Sequence, residues 1–147
     1  MKVGFTCGTF DLLHAGHVLM LNEAKSVCDH LIVGIQRDPS VEREYKNSPI
    51  QSYEERIIMA GSIIHVDEIV LYDTEGDLYE LLQKINPDVR IIGSDWKGKK
   101  FTGHDLGTEI YFNSRDHGWS TSNLRKRVYD AEVKMNINTT SERCLPS

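Results

Sequence analysis

With 147 residues, a formal net charge of −5, and 39% hydrophobic against 27% charged residues, the chain has the size and composition of one soluble globular domain. The acidic balance argues against a general nucleic-acid binder, and no apolar run approaches the ~20 residues that a membrane helix needs. Met1-Lys2-Val3 leads straight into a strand with no leader pattern, and Cys7, Cys28 and Cys144 lack paired spacing, so a cytoplasmic, reduced protein is expected.

The apolar run Val3 to Cys7 predicts a first strand, broken into a turn at Gly8. A helix pattern follows from about Ala15 to Cys28 through Val18, Leu19, Leu21, Ala24 and Cys28. His30 to Gln36 reads as a second strand, parallel to the first because a helix separates them. Residues 37–51 are polar, punctuated by Asp38-Pro39 and Ser48-Pro49, and form a loop long enough to be functional; it carries Arg43 and Lys46. Ser52 with Glu55 makes a capping-box signature for a helix to about His65, with Ile57, Ile58, Ala60, Ile63 and Ile64 as core positions. Val66 to Tyr72 alternates as a third strand. Gly76 to Asn86 is amphipathic through Leu78, Leu81, Leu82 and Ile85, and Pro87 marks its end.

Val89 to Gly93 is almost wholly apolar and is expected to be a central strand. A Gly- and Lys-rich loop, 94–107, leads to a fifth strand at Thr108 to Phe112. A turn then precedes a last helix from Ser120 to about Glu132. Residues 133–147 show no periodicity and read as a flexible C-terminal tail behind a domain of residues 1–132. Strand–helix alternation of this kind predicts an α/β fold, a parallel five-stranded sheet with helices on both faces. Ligands of such sheets bind at the carboxyl ends of strands near a switch in strand order. Loops 8–17, 37–51, 94–107 and 113–120 all follow strands, so they are expected to converge on one crevice.

The chemistry concentrates at Gly8-Thr9-Phe10-Asp11-Leu12-Leu13-His14-Ala15-Gly16-His17. A strand, a tight turn and a helix start make an anion site from free backbone N–H groups and the positive end of the helix dipole. His14 and His17 lie one turn apart on one face, and imidazoles donate hydrogen bonds to phosphate oxygens. Gly16 removes a side chain where a phosphate would approach the backbone. The pattern points to a triphosphate site. Zinc ligation by the two histidines is disfavoured, because no third ligand has suitable spacing, and no resident metal site is assigned.

Gly8-Thr9-Phe10-Asp11 followed by His14-Ala15-Gly16-His17 resembles the HxGH motif of the cytidylyltransferase-like nucleotidyltransferases. Ser52-Tyr53-Glu54-Glu55-Arg56, Val66-Asp67-Glu68, Gly93-Ser94-Asp95-Trp96-Lys97-Gly98-Lys99 and Arg115-Asp116-His117-Gly118-Trp119-Ser120-Thr121-Ser122 are similar to further segments of that family, in the same order. The resemblance spans about residues 2–130 and implies a Rossmann-like fold. Its nearest pattern is glycerol-3-phosphate cytidylyltransferase, from which the sequence departs at Ser94, Asp116 and Trp119. Asp38-Pro39-Ser40-Val41 and Asn86-Pro87-Asp88-Val89 also look like heptose-1-phosphate adenylyltransferases.

What the resemblance implies is transfer of a cytidylyl group from CTP to a small phosphate monoester, glycerol 3-phosphate first, releasing pyrophosphate, with Mg²⁺ accompanying the triphosphate. The alternatives are adenylyl transfer to a sugar 1-phosphate such as heptose 1-phosphate, or a regulatory module that binds nucleotide without turnover. His14, His17, Lys46 and Arg115 would be catalytic. Gly8, Thr9, Phe10, Asp11 and Gly16 in the first loop would bind nucleotide, as would Arg56, Asp95, Ser120 and Thr121. Trp96 and Lys46 would contact the acceptor. A homodimer is expected by the same resemblance.

Overall fold

Short apolar runs alternate with helices along the chain, and a computed structural model describing residues 1–143 arranges them as one sheet with flanking helices. The strands are β1 (Val3–Gly8), β2 (His30–Gln36), β3 (Glu68–Tyr72), β4 (Val89–Gly93) and β5 (Glu109–Asn113). All pair in parallel, in the order β3-β2-β1-β4-β5. The chain builds outward from β1 through β2 to β3, then crosses back to the other side of β1 for β4 and β5. β1 is therefore the middle strand. The expected central strand, β4, is interior but lies one place away. The order reverses between β1 and β4, so the crevice of such a sheet opens at their carboxyl ends.

The period of two along β2 divides the core. Leu31, Val33 and Ile35 face one side, where α1 (Ala15–Ser26) contributes Leu21 and Ala24, and α2 (Tyr53–Gly61) contributes Ala60. Ile32 faces the other side, with Phe5 and Tyr72, against Leu78 and Leu82 of α3 (Glu75–Ile85). Helices thus cover both faces. Asn86 takes the left-handed conformation, φ 47°, and closes α3 just before Pro87.

Two helix limits differ from expectation. α2 stops at Gly61 rather than near His65, and with only nine residues it buries a single stripe. Ile57 and Ile63 pack on the core, whereas Ile58 and Ile64, counted above as core, are 59% and 89% exposed. α4 (Thr121–Arg143) continues past Glu132 through residues assigned above to the tail. Val128, Tyr129, Met135 and Ile137 on it are exposed, so its outer turns rest on backbone hydrogen bonds and helix propensity rather than on a buried stripe. Cys144 and the rest of the expected tail lie outside the described residues.

The capping box that starts α2 forms as the sequence predicts. Ser52 Oγ accepts the Glu55 N–H at 3.1 Å, and Glu55 Oε1 accepts the Ser52 N–H at 3.1 Å. Ser52→Ala is expected to lower stability by about 1 kcal/mol, read as a lower urea midpoint at unchanged slope.

Candidate active site

Between β1 and α1 the backbone takes a shape that most residues avoid. Phe10 (φ 55°) and Leu12 (φ 50°) both sit in the left-handed region. Such conformations cost on the order of 1–3 kcal/mol each and persist only where the surroundings hold them. The Phe10 ring is anchored in the core, 4% exposed. The Asp11 carboxylate accepts the N–H groups of Ile50 (2.8 Å) and Gln51 (2.9 Å). Gln51 Oε1 in turn accepts the Leu12 N–H at 2.8 Å.

From α2, the Arg56 guanidinium donates to the carbonyls of Thr9 (3.0 Å), Gln36 (2.6 Å), Gln51 (3.3 Å) and Arg37. It is 2% exposed and lies 5.2 Å from the Tyr53 ring centroid. These positions correct three of the expected nucleotide contacts. The side chains of Phe10, Asp11 and Arg56 do not line the crevice: the Phe10 ring packs in the core, the polar groups of Asp11 and Arg56 are engaged mainly by backbone, and all three shape the loop instead.

Gly8, Thr9, His14, Gly16 and His17 line a crevice of about 1200 Å³. His14 caps α1: its Nδ1 accepts the Gly16 N–H at 3.0 Å, and its backbone N–H donates to His17 Nδ1 at 3.1 Å. Each imidazole has its Nδ1 occupied as an acceptor, so in the neutral form each carries its proton on Nε2, a tautomer assigned from the hydrogen-bond network. His14 Nε2 reaches Thr121 Oγ1 at 3.3 Å, and the two ring centroids are 4.0 Å apart.

Burial, then the neighbouring His14, pushes the His17 pKa down to about 4, against a smaller opposing pull from Asp11. His14 is also lowered, by burial first, then by His117 and Arg115. Both rings are neutral Nε2–H donors at pH 7. Gly16 is required by packing, because a methyl there would lie 2.8 Å from His14 Cε1 and 2.9 Å from His117 Cε1.

The expected phosphate loop converges on the same crevice. Arg115 pairs with Asp95 (3.5 Å) rather than with its neighbour Asp116. Ser120 Oγ accepts the Asn123 N–H at 3.1 Å as the cap of α4, and Thr121 holds His14. Arg125 of α4 reaches Asp11 at 3.9 Å. Glu23 of α1 fixes the entry to this loop by accepting from Tyr111 Oη (3.0 Å) and from the backbone and hydroxyl of Ser114 (3.1 and 2.9 Å). Trp96, 39% exposed, and Lys46 line the crevice too. Asp95 is committed to Arg115, and among the described residues no three His, Cys, Asp or Glu side chains group to hold an ion.

The crevice has a second end, of which the sequence reading named only Arg43. Arg43 Nη2 donates to Glu75 Oε1 (2.8 Å), and Thr102 Oγ1 donates to Glu75 Oε2 (2.6 Å). Arg43 Nε is buried without a partner, so the fork is only partly satisfied. Arg90 donates to the Thr102 carbonyl and lies near Cys7 Sγ (4.0 Å). Burial pushes the Cys7 thiol pKa up, which keeps it a thiol. One signal was available: Arg90 is a charged residue inside an otherwise apolar strand.

Comparison with known proteins agrees with this geometry. The sequence model of the cytidylyltransferase-like family matches residues 5–127. The chain is 40% identical over 132 residues to the bifunctional protein HldE of Campylobacter concisus, covering 89% of this chain and 28% of that protein. It is 42% identical over 128 residues to the bifunctional protein HldE of Wolinella succinogenes, covering 86% and 27%. The chain thus spans little more than a quarter of the length of these relatives. Among solved structures, the lipopolysaccharide core biosynthesis protein of Thermoplasma volcanium superposes with a TM-score of 0.67 at 28% identity, covering 80% of this chain and 99% of that one. A pantoate-beta-alanine ligase from Francisella tularensis shares the fold, with a TM-score of 0.56 at 21% identity over 84% of this chain and 65% of that one. The chain belongs to the cytidylyltransferase-like family of nucleotidyltransferases.

Two outcomes are expected from this geometry. Arg56→Met strips donors from four carbonyls and should cost about 2–4 kcal/mol of stability in urea unfolding; a loss of nucleotide affinity at unchanged stability would contradict the positioning role. His17 makes stability fall with acid, because between about pH 6.5 and 4 the unfolded chain binds a proton that the folded chain refuses. That loss reaches at most about 3 kcal/mol near pH 4. His17→Asn keeps an acceptor for the His14 N–H but cannot titrate, so its urea midpoint should decline less steeply over this range.

Proposed function

We propose that this chain transfers a nucleotidyl group from a nucleoside triphosphate to a sugar 1-phosphate, releasing pyrophosphate. The observation that carries the reading is the pair of neutral imidazoles, each with Nδ1 held by a backbone N–H and Nε2–H directed by that bond to act as donor, over the start of α1. An acceptor phosphate oxygen attacks the α-phosphorus, the bond from that phosphorus to the β-bridging oxygen breaks, and its electron pair leaves with pyrophosphate. The attacking oxygen is already anionic, so no general base or covalent enzyme intermediate is needed.

The work left to the protein is to bring two anions together and to meet charge that builds on the α-phosphate and the leaving group. His14 and His17 would donate to those oxygens, with Lys46 and Arg115 supplying positive charge and the start of α1 its dipole. Arg115 would exchange Asp95 for phosphate, a modest change for a half-exposed pair. Mg²⁺ is expected to arrive with the triphosphate; among the described residues no group of three His, Cys, Asp or Glu side chains forms a site for it.

The acceptor and base are finer questions. The family alone allows CTP with glycerol 3-phosphate, the first expectation above. The relatives named HldE favour the alternative, ATP with a sugar 1-phosphate such as heptose 1-phosphate. The polar second end, with Arg43, Glu75 and Thr102, also suits a hydroxyl-rich acceptor better than an apolar or cationic one.

Pyrophosphate release should be measured with ATP and with CTP, each against sugar 1-phosphates and glycerol 3-phosphate. ATP-dependent release with a sugar 1-phosphate is expected, and His14→Ala or His17→Ala should lower kcat by about 10²–10³. Release with CTP and glycerol 3-phosphate alone would restore the first expectation. Nucleotide binding with no release from any pair would point to the regulatory module.

A further inference from the structure

Resting on the polyphosphate reading of this site, the geometry points to His117 as a third imidazole donor to the leaving pyrophosphate, acting through Nε2–H beside His14 and His17. His117 belongs to the loop between β5 and α4. Between Ser114 and Trp119, it is the one residue that is not exposed. Its ring turns inward over the start of α1, where Cε1 would stand only 2.9 Å from a methyl at Gly16. Gly16 is thus the close-approach point for two histidines, His14 from its own helix and His117 from the far loop.

The decisive detail is again the tautomer. His117 Nδ1 accepts the Trp119 N–H at 3.2 Å, so the neutral ring carries its proton on Nε2. The same arrangement occurs at His14, held by the Gly16 N–H, and at His17, held by the His14 N–H. Three imidazoles around one glycine therefore share a single wiring: backbone N–H into Nδ1, and a proton on Nε2. The Trp119 ring stacks on His117, with centroids 5.4 Å apart and planes 28° from parallel, which limits the ring's rotation. His117, Trp119, Arg115 and both other histidines line the same crevice. His117 is also close enough that it depresses the pKa of His14.

Physically, a third donor is useful because a leaving pyrophosphate gathers charge on several oxygens at once, more than two imidazoles can meet. His117 would bring such a donor from the loop between β5 and α4 rather than from α1 itself. His117 is carried by a loop rather than by the start of α1, so its loss should cost less than loss of His14 or His17.

The test separates donation from bracing. Asn at 117 retains an acceptor for the Trp119 N–H but places no N–H where Nε2 stood; Gln places an amide N–H near the Nε2 position. For His117→Asn and His117→Ala, inorganic pyrophosphate should bind about tenfold more weakly by calorimetry, and kcat should fall about 10–100-fold. His117→Gln should recover most of both losses. Wild-type behaviour of His117→Asn, or equal losses in all three variants, would mean that the ring only braces the loop and would overturn the assignment, as would a wild-type protein that does not bind pyrophosphate. Pyrophosphate binding needs no acceptor. If the wild type binds it but releases none from any nucleotide–acceptor pair, the transfer reading fails while the variant series still decides the role of His117.

Discussion

The backbone from Thr9 to Leu12 is the constraint on which the rest of the crevice depends. Two left-handed residues bend it so that His14 can cap α1 while Gly8 and Thr9 stay at the end of the middle strand. Left alone, that bend would relax. It is held from two sides, by Asp11 receiving the amides of Ile50 and Gln51, and by Arg56 donating to Thr9 and to the carbonyls at the end of β2. The guanidinium gathers four carbonyl dipoles from three stretches of chain, and this lets a charged group sit 2% exposed without a carboxylate in direct contact. Strain in the motif loop and burial of Arg56 are two halves of one arrangement. Neither is stable without the other.

Preorganisation of the imidazoles follows from that clasp. Capping α1 with His14 uses the helix's own unsatisfied N–H groups to fix which nitrogen of each ring bears the proton. Burial then keeps the rings neutral, so the positive charge lining the crevice comes from Arg43, Lys46, Arg90, Lys100 and Arg115 instead. A neutral donor costs less to bury than an imidazolium, and its hydrogen bond strengthens as charge develops on the phosphate oxygens.

Much of this was legible in the sequence, for identifiable reasons. β2 and β4 match their predicted limits because each is a short apolar run bounded by polar residues, and the Ser52–Glu55 box is a local signal with local geometry. The HxGH resemblance placed His14, Gly16 and His17 on the crevice. α4 was cut short because a helix exposed on most sides has no stripe for periodicity to find. Ile58 differs because an isoleucine looks equally apolar on either side of a short helix, and Ile64 because the helix ends at Gly61 and leaves it in an exposed turn. Arg56 and Asp11 could not be read as a clasp, since their partners are main-chain groups and main-chain groups have no sequence signature. Arg43 and Glu75 meet across 32 residues of chain, with nothing local to announce the pairing.

The two ends of the crevice differ in how completely their polar groups are satisfied, and that difference bears on specificity. At the phosphate end every histidine discussed has its Nδ1 paired, so ligand binding there would give up only the half-exposed Arg115–Asp95 pair and the His14–Thr121 bond. At the other end each Glu75 oxygen accepts one hydrogen bond, from Arg43 and from Thr102, while Arg43 keeps a buried Nε without an acceptor. An unpaired buried donor costs roughly 1–3 kcal/mol. A ligand or water oxygen that reaches it recovers that energy, whereas an apolar group seated there would leave the penalty in place. Under the proposed transfer, discrimination between acceptors would rest on the Arg43–Glu75 end, where Arg43 Nε lacks an acceptor. Under the same proposal, the phosphate end, whose histidines are oriented before anything binds, would recognise polyphosphate whatever the acceptor.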